Sequence, residues 1–365
     1  MEPDPNRNDR YRRARESARA VGAHLARRLP EPVARVLRPP VRKVVSFWQP
    51  VPVAPPPRGG AGAELPIPPL RHIPGDLVTI EPSLPEGRER LTVWPDTPPP
   101  GYLGQLEPEG QKRLAERWAG VTLEDGFFYH RSALPDGRVI EGPWNLIGGE
   151  AEYLGGVELD GRRVLELGPA SGWLTVWMEQ QGAKVVGFDL GWDVEPDLLP
   201  LPGLDLDRMR ADHIRTVSHV QNAWWFLQHA YGLTAEAVYG SIYALPADIG
   251  RYDVSVFGSI LLHLRDPFQA LYEAAKRTDE AIVVVEPLRH GPDQVDQPVL
   301  YWNITGGGSP NGWWGLSPGA IVDMLGVLGF PDATVTYHRQ PYRPENDPVA
   351  GATSVVNYTV VARRR

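Results

Sequence analysis

The order of apolar and polar residues over 162–190 predicts a strand, a glycine turn, a helix and a second strand. The first apolar run ends at Glu166, and the turn 168–172 follows it directly. A helical pattern and a second apolar run come next, and that run closes on Asp189. This arrangement is half of a doubly wound nucleotide-binding sheet, with an acidic residue at the end of each strand.

Apolar runs continue to alternate with helical patterns along the rest of the chain, which favours an α/β sheet with helices on both faces. The predicted strands are 185–188, 237–242, 252–259, 281–286 and two terminal runs at 334–340 and 354–365. The predicted helices are 173–181, 205–230, 266–277 and 317–328. The pattern therefore predicts five strands alternating with helices, followed by a terminal β pair.

The chain divides into three predicted regions. Residues 1–100 form a basic, proline-rich and flexible arm and linker, and residues 156–365 form the sheet domain. Between them, 101–155 is predicted to be a cap made of one helix and one β-hairpin that turns at Pro135-Asp136-Gly137. Within the arm, residues 10–48 are interpreted either as a solvated tail or as a contact for an anionic partner or a membrane surface.

Charge is distributed unevenly along the chain. The net charge is −8, but the first 60 residues carry +8 and the remainder −16. An acidic body repels a polyphosphate, so a nucleic-acid substrate is not favoured.

Residue usage excludes several further classes. The chain has no cysteine, which rules out disulfides and thiolate metal sites and fits a reducing cytoplasm. No apolar run approaches the roughly 20 residues that span a bilayer, so a cytoplasmic location is expected. No compact group of histidines and carboxylates suggests a metal, and none is expected.

The glycine spacing distinguishes two kinds of nucleotide site. A dinucleotide fingerprint requires G-x-G-x-x-G, which brings bare backbone and a helix N-terminus against a pyrophosphate. Here the order is Glu-x-Gly-x-x-x-Gly from Glu166 to Gly172, without the third glycine. A nucleotide-dependent oxidoreductase is therefore disfavoured. A Rossmann-like sheet that binds some other ligand remains possible as an interpretation of this motif alone.

Glu166, Gly168 and Gly172, with Asp189 at the next strand end, resemble motif I of the class I S-adenosylmethionine (SAM) methyltransferases. The resemblance implies an α/β, doubly wound, Rossmann-like seven-stranded sheet with SAM as cofactor. In that family the glycine loop passes under the methionine and ribose, and the second-strand acid accepts both ribose hydroxyls. The cofactor contacts implied for this chain are Glu166, Gly168, Pro169, Ser171, Gly172, Asp189, Leu190, Ser241, Ile242, Tyr243 and Gly258.

The third predicted strand departs from the family pattern. The family usually has an acid there that bonds the adenine amino group, whereas this chain has Ser241, followed by Ile242 and Tyr243. A serine hydroxyl is neutral and shorter than a carboxylate. Tyr243 is interpreted either as a ring that stacks on adenine or as a core or rim tyrosine.

The segment after the fourth predicted strand contains the candidate base. His263 is interpreted as a general base, which would take the proton of an attacking hydroxyl, or as a hydrogen-bonded structural histidine. Arg265 is a candidate partner for an acid or for a substrate carboxylate. Asp266 and Pro267 are predicted to cap the next helix.

A second resemblance is to the branch of that family related to the bacterial wobble-uridine tRNA-modifying enzymes and their small-molecule relatives. It covers 127–335 and rests on a lead-in with Tyr129, His130, 134–137, Gly142 and Trp144, and on the late pair Trp313 and Trp314. Tyr129 and His130 are candidate catalytic residues, with His263. The candidate substrate contacts are Trp144, Arg265, Trp313 and Trp314.

The tryptophans near 313 lie among glycines, which suggests a mobile lid over the active site, with simple packing of the loop as the alternative.

Together these features predict a SAM-dependent methyltransferase that acts on an oxygen or nitrogen of a small-molecule acceptor. A tRNA-modifying transferase and a non-catalytic SAM-fold binding protein are the alternatives.

Overall fold

The computed structural model describes residues 118–191, 194–201, 205–289, 297–302, 311–343 and 353–365. The predicted arm, its anionic or membrane contact, and most of the first cap helix lie outside these ranges. The strands are β1 Ser132–Ala133, β2 Val139–Ile140, β3 Arg163–Leu167, β4 Lys184–Leu190, β5 Glu236–Gly240, β6 Tyr252–Gly258, β7 Thr278–Pro287, β8 Leu300–Trp302, β9 Trp314–Leu316, β10 Asp332–Tyr342 and β11 Thr353–Arg363. The helices are α1 Glu150–Tyr153, α2 Trp173–Gln180, α3 Leu206–Tyr231, α4 Pro267–Ala275 and α5 Pro318–Val327.

Seven strands form one sheet in the order β10-β11-β7-β6-β3-β4-β5. Strands β3 to β7 are parallel, and β11 pairs antiparallel with both β7 and β10. The strand order reverses at β3, whose neighbours are β4 and β6, so the loops after these strands diverge and leave a crevice at their carboxyl ends. The predicted Rossmann-like seven-stranded sheet of the class I methyltransferase fold is confirmed.

Several strand ends differ from the apolar pattern. Strand β4 continues to Leu190 because Asp189 pairs with Tyr239 across the ladder to β5, so the acid lies within the strand and not after it. Strand β5 ends at Gly240, which places Ser241 and Ile242 in the following turn. Backbone pairing with the neighbouring strand, which hydropathy does not report, sets these ends.

The two faces of the sheet bury separate apolar clusters. Helices α2 and α3 cover one face, where Val164 of β3 packs, and α4 and α5 cover the other, where Leu165 and Leu167 pack. Alternate residues of β3 thus point to opposite faces, as expected for a strand buried on both sides.

Helix starts follow the predicted chemistry. Asp266 accepts from the Gln269 N–H at 2.9 Å and Pro267 occupies the first turn of α4, so the predicted cap is confirmed. Asp205 caps α3 in the same way, at 3.1 Å from the Arg208 N–H.

The segment before the sheet packs onto it through a confirmed hairpin. Strands β1 and β2 pair antiparallel around the predicted turn, and Gly137 N–H donates to the Leu134 carbonyl at 2.9 Å. The Tyr231 hydroxyl at the end of α3 donates to the Ala133 carbonyl at 3.0 Å. Trp118 stacks on Trp225 with ring centroids 5.2 Å apart. Among the described residues no helix has the length and apolar character needed to cross a membrane.

Candidate active site

Three residues with positive φ build the turn between β3 and α2: Gly168 at +75°, Ala170 at +48° and Gly172 at +87°. The Gly168 N–H donates to the Phe188 carbonyl of β4 at 2.9 Å, which fixes the start of the turn. A left-handed backbone costs a residue with a side chain roughly 1–2 kcal/mol, so glycine is favoured at both ends. The turn therefore brings two bare stretches of backbone to the crevice.

The two glycines also leave room for side chains of the protein. A Cβ at Gly168 would lie 2.4 Å from the Cδ1 atom of Ile260, and one at Gly172 would lie 2.8 Å from Cδ1 of Trp224. Both distances are below normal contact. A side chain at Gly172 would therefore displace Trp224, whereas one at Gly168 would require only the end of the Ile260 side chain to move.

Gly172→Ala is expected to lower the free energy of unfolding by about 1–2 kcal/mol through its backbone, with a further loss from displacing Trp224. Gly137→Ala is the matched control, because Gly137 has φ +85° and nothing within 4 Å of its Cβ. Denaturant unfolding of both variants measures the difference. Equal losses would contradict the role given to the Trp224 contact.

Ser171 joins the turn to the lead-in. Its Oγ accepts from the His130 backbone N–H at 3.0 Å, and both residues are buried. Burial lowers the pKa of His130 to about 4, so its ring is neutral near pH 7. The Tyr129 ring meets that ring edge-on at 5.2 Å, and burial raises the Tyr129 pKa. The structure thus places both lead-in candidates beside the glycine turn, and their catalytic role stays a prediction.

Glu166 lies on the α2 side of the sheet and is 2% exposed. It accepts from the Thr175 hydroxyl, which in turn accepts from the Trp224 indole at 3.0 Å. Burial raises the pKa of Glu166 to about 7, against the opposing effect of the Thr175 hydrogen bond. Glu166 therefore ties α2 and α3 to the strand that carries the turn.

Asp189 supplies a carboxylate at the carboxyl end of β4. Its Oδ1 accepts from the Leu190 N–H at 2.8 Å, and Gln221 of α3 donates to the Leu190 carbonyl at 2.9 Å. Burial raises the pKa of Asp189 to about 6, while hydrogen bonds from Leu190 and Gln221 lower it. At pH 7 the group is mostly ionised and can accept from a vicinal diol. Gln221 has no motif, so the sequence alone did not identify it.

The turn after β5 holds the three residues predicted to contact adenine. Ser241 Oγ accepts from the Tyr243 N–H at 3.3 Å, and Ile242 packs at the edge of the apolar cluster under α4 and α5. The Tyr243 hydroxyl donates to the Asp197 carboxylate and accepts from the Asp266 N–H at 3.2 Å. The Tyr243 phenol thus binds within the protein, while ring stacking on adenine stays a prediction.

Asp197, in the loop after β4, connects the loops at the carboxyl edge, and we call this set of contacts the Asp197 junction. Its carboxylate accepts from the Tyr243 hydroxyl and, at 2.9 Å, from the Arg265 N–H. Its carbonyl accepts from the Trp313 indole at 3.1 Å. Hydrogen bonds to Asp197 therefore connect the loop after β4, which contains it, with the loops after β5 and β6 and with the segment before β9. Sequence reasoning missed Asp197 because it lies in an irregular proline-rich loop with no motif.

A buried carboxyl group on the neighbouring strand β7 binds the turn after β6. Glu286 of β7, 1% exposed, accepts from the Leu261 N–H at 2.8 Å and the Leu262 N–H at 3.3 Å. Burial raises the pKa of Glu286 to about 8. Nearby, the space at Gly258 is limited by Tyr153, whose hydroxyl would lie 3.3 Å from a Cβ there. Hydrogen bonds to the neighbouring strand β7 therefore fix the backbone that leads to His263.

Glu286 is expected to make stability depend on pH. Its folded pKa of about 8 exceeds that of a free carboxyl, 4.5 in the unfolded chain, so the folded state keeps a proton that the unfolded state loses. The free energy of unfolding should then fall, by on the order of a few kcal/mol, as pH rises from about 5 to about 8. Glu286→Gln, which keeps the accepting oxygen, should flatten that slope.

Denaturant unfolding at both ends of this range measures the effect. Glu236→Gln, at an exposed position of β5, is the control. An unchanged slope in Glu286→Gln would contradict the assignment.

His263 has a defined tautomer. Its Nδ1 lies 2.6 Å from the Asn311 carbonyl oxygen, which can only accept, so Nδ1 carries the hydrogen and Nε2 the lone pair. Burial lowers the pKa of His263 to about 4, and the Asn311 hydrogen bond opposes this shift. His213 of α3, which was not predicted, also has a pKa of about 4, lowered by burial and then by His263. Both rings are therefore neutral near pH 7.

The tryptophans after β7 do not all lie in a glycine loop, and this part of the prediction is wrong. Trp314 belongs to β9, which pairs with β8 because Trp302 and Trp314 face each other across a two-stranded ribbon. Trp302 stacks on Trp314 at 5.9 Å and on Trp313 at 6.2 Å. The Trp313 N–H donates to the Leu262 carbonyl at 2.8 Å, which holds the ribbon against the His263 segment. The glycines between the two strands lie outside the described residues.

Two other candidates have defined partners. The Trp314 indole donates to the Arg265 carbonyl at 3.1 Å, and Arg265 Nε lies 3.9 Å from Asp197, so Arg265 pairs with an acid. Trp144 bridges His130 and Tyr342, with its ring 4.6 Å from that of Tyr342. Trp144 therefore connects the lead-in to β10.

The described residues form a cleft of about 300 Å³ beside the Asp197 junction. Its walls include Glu195, Arg210 and Trp313. A second cleft, of about 410 Å³, lies further along α3 and is lined in part by Trp118 and Gln221. The turn 168–172 lines neither of these two clefts.

Residues 146–311 match the family model described as a methyltransferase domain. None of the curated proteins compared with the chain matches it. The match begins just after the lead-in that precedes β3 and ends before β9, so it includes the glycine turn, Asp189 and His263.

Several solved structures are similar to this chain. The N-terminal domain of EvdMO1, solved in the presence of SAH and D-fucose, is 20% identical over 59% of this chain and 79% of that one, with a TM-score of 0.35. Magnesium protoporphyrin IX methyltransferase from Synechocystis PCC 6803 with SAH is 16% identical over 60% and 82%, with a TM-score of 0.38. A Burkholderia thailandensis 1,6-didemethyltoxoflavin-N1-methyltransferase is 18% identical over 59% and 76%, with a TM-score of 0.37.

The match to a methyltransferase domain supports SAM as the cofactor. The residues at the crevice fit it. Bare backbone at Gly168 and Gly172 and the Asp189 carboxylate stand at the carboxyl ends of adjacent strands, where open α/β sheets bind ligands.

Proposed function

We propose that the domain transfers the methyl group of SAM to an oxygen or nitrogen of a small-molecule acceptor. The observation that carries this proposal is the placement of the glycine turn and Asp189 at the sheet edge that also bears His263 and the Asp197 junction. Cofactor and acceptor groups would then share one crevice. Alignment of that kind supplies roughly 7–11 kcal/mol of a barrier.

The cofactor contacts are part of the proposal. Asp189 would accept the ribose hydroxyls, and backbone at Gly168 and Gly172 would approach the methionine and ribose. When bound, SAM supplies a methyl group already activated by a positively charged sulfur. The protein therefore has to hold and orient the acceptor and receive its proton.

A small acceptor is supported by the size of the described cleft, about 300 Å³, at the lower end of small-molecule sites. The acidic body disfavours tRNA, because a polyanion needs a basic surface. The resemblance to the wobble-uridine enzymes stays a prediction at the level of the branch.

His263 would act as the general base for a hydroxyl acceptor. His263→Gln is expected to lower kcat by about 10²–10⁴ while SAM affinity is unchanged. The neutral ring is required, so kcat/KM should fall only as pH drops through about 4, the His263 pKa, and should stay level above pH 5 as far as this group is concerned. Turnover across pH measures both. His229→Gln, at an exposed position of α3, is the control, and an equal loss there would contradict the role of His263.

The experiment for the function as a whole measures SAH formed from SAM by the full chain. The acceptors are a low-mass filtrate of a cell extract and, separately, unmodified tRNA. We expect SAH with the filtrate alone. SAH with tRNA alone would favour the tRNA-modifying alternative, and SAM binding without SAH from either pool would favour a non-catalytic protein.

A further inference from the structure

Ser259, directly after β6, has a backbone conformation that serine rarely adopts. Its φ is +55°, and the only other described residue that has a positive φ without being glycine is Ala170 of the glycine turn. Side chains disfavour this conformation, and residues that are held in it cluster at functional sites. The Ser259 N–H donates to the Val285 carbonyl of β7 at 2.8 Å, which fixes the backbone there. Ser259 is thus a candidate site residue that no sequence motif indicated.

Ser259 adjoins the glycine turn. Strands β3 and β6 are neighbours, so Gly168 after β3 and Ser259 after β6 lie at the same edge of the sheet. Ile260 contacts the turn, because a Cβ on Gly168 would overlap its Cδ1 atom. Ser259 and Ile260 are partly exposed, whereas Phe257 within β6 is fully buried. The chain after β6 therefore emerges from the core at the crevice.

The hydroxyl of Tyr153 in α1 lies next to that of Ser259. The two oxygens are 3.4 Å apart, which is longer than the usual separation of a hydroxyl pair, about 2.7–2.8 Å. Neither hydroxyl has a further hydrogen-bond partner within the described parts of the chain. Tyr153 is 4% exposed, and a buried hydroxyl with so weak a partner is unfavourable. A polar ligand atom that binds both oxygens would remove that penalty.

Contacts that do not use its oxygen fix the Tyr153 ring. His338 of β10 meets the ring edge-on, with centroids 5.4 Å apart, and the Tyr153 carbonyl accepts from the Thr359 hydroxyl of β11 at 2.8 Å. His338 Nε2 lies 3.0 Å from the same hydroxyl oxygen. Burial raises the pKa of the phenol, so it stays protonated and can donate as well as accept. Phenylalanine at this position would therefore lose the hydroxyl and keep the packing.

The order of the strands indicates which part of SAM reaches the hydroxyl pair. Along the sheet edge the order is β5, β4, β3, β6, with neighbouring strands about 4.8 Å apart. The predicted and proposed contacts place adenine at the turn after β5 and the ribose at Asp189 of β4. The amino-acid end then continues in the same direction, over β3 to the end of β6. Tyr153 and Ser259 lie at that end.

We infer that the hydroxyls of Tyr153 and Ser259 bind the amino-acid end of the cofactor. This inference rests on the proposed function. An ammonium group donates to hydroxyl oxygens and a carboxylate accepts from hydroxyl groups, so either group of that end can bind the pair. Because the sulfur follows the amino-acid chain, these contacts also position the methyl group at the end of β6, the strand that leads to His263.

The test is calorimetric titration of the full chain with SAH and with 5′-methylthioadenosine, which lacks the amino-acid end. The proteins are the natural chain, Tyr153→Phe and Ser259→Ala. Each variant should bind SAH about three- to tenfold more weakly, which is the effect of one lost hydrogen bond. Affinity for 5′-methylthioadenosine should stay unchanged, because that ligand does not reach the hydroxyl pair.

Tyr252→Phe is the matched control. It removes a buried hydroxyl that donates to the Ile249 carbonyl at 2.7 Å, at the opposite end of β6, and SAH affinity should stay unchanged. Unchanged SAH affinity in Tyr153→Phe and Ser259→Ala, or equal losses for both ligands, would overturn the inference. If the natural chain binds neither SAM nor SAH, the proposed function itself is contradicted.

Ser259→Gly separates the hydroxyl from the backbone. It removes the same hydroxyl as Ser259→Ala, but glycine adopts a positive φ without strain. Ser259→Gly should therefore melt a few degrees above Ser259→Ala, while both variants bind SAH equally weakly. Natural SAH affinity in Ser259→Gly would show that the backbone conformation alone matters, and would overturn the role of the hydroxyl.

Discussion

Asp189→Asn is expected to weaken SAM binding by roughly tenfold to a hundredfold, because hydrogen bonds to an ionised group contribute about 1.5–3 kcal/mol. Asparagine keeps the size of the side chain and one accepting oxygen, so the Leu190 N–H, now 2.8 Å from Oδ1, retains its partner. The unfolding midpoint should therefore change little. Titration calorimetry of the full chain measures the affinity, and Asp160→Asn at an exposed turn is the control.

The same carboxylate predicts a pH dependence of binding. The pKa of Asp189 is raised by burial to about 6, so the accepting, ionised form is present above that value and is lost as pH falls through it. SAM affinity should decline below pH 6 in the natural chain and decline less in Asp189→Asn. Equal declines in both proteins would show that another group governs the pH dependence.

Asp197→Ala is expected to give the second large effect. It removes the carboxylate that binds the Tyr243 hydroxyl and the Arg265 N–H, two hydrogen bonds to an ionised group at about 1.5–3 kcal/mol each. The unfolding free energy should fall by about 2–4 kcal/mol, since water replaces part of what is lost. Acceptor turnover should fall as well, because the cleft wall and the His263 segment lose a shared anchor.

Two further variants separate the parts of the Asp197 junction. Tyr243→Phe removes the phenol contact alone and should account for about half of the loss in stability. Asp197→Asn keeps an oxygen for the Arg265 N–H and should lie between the natural chain and Asp197→Ala. Thermal and denaturant unfolding measure these differences. A stability of Asp197→Ala equal to that of the natural chain would contradict the junction.

Features that depend on local chemistry were predictable from the sequence. The glycine turn after β3, the acid of β4 and the Asp266–Pro267 start of α4 each depend on residues that are neighbours in the chain. Backbone conformation and helix capping act within a few residues, so spacing alone reports them. The α/β class followed because strands that alternate with helices along the chain favour a parallel sheet with helices on both faces.

Features that depend on distant partners were not predictable. Asp197 and Gln221 gain their roles from residues tens of positions away, and neither lies in a motif. Trp314 was misplaced into a glycine loop because a three-residue strand carries too little apolar pattern to be seen. The low pKa of His263 likewise arises mainly from burial, and a hydrogen-bond partner of its ring, the Asn311 carbonyl, lies 48 positions away in the chain.

Calorimetric titration of the full chain with SAM, SAH and NADH tests the SAM site most directly. We expect SAM and SAH to bind at a single site, with weaker binding in Asp189→Asn, and NADH not to bind. Binding of NADH in preference to SAM, or SAM binding that is unaffected by Asp189→Asn, would contradict a SAM site at the carboxyl ends of β3 and β4.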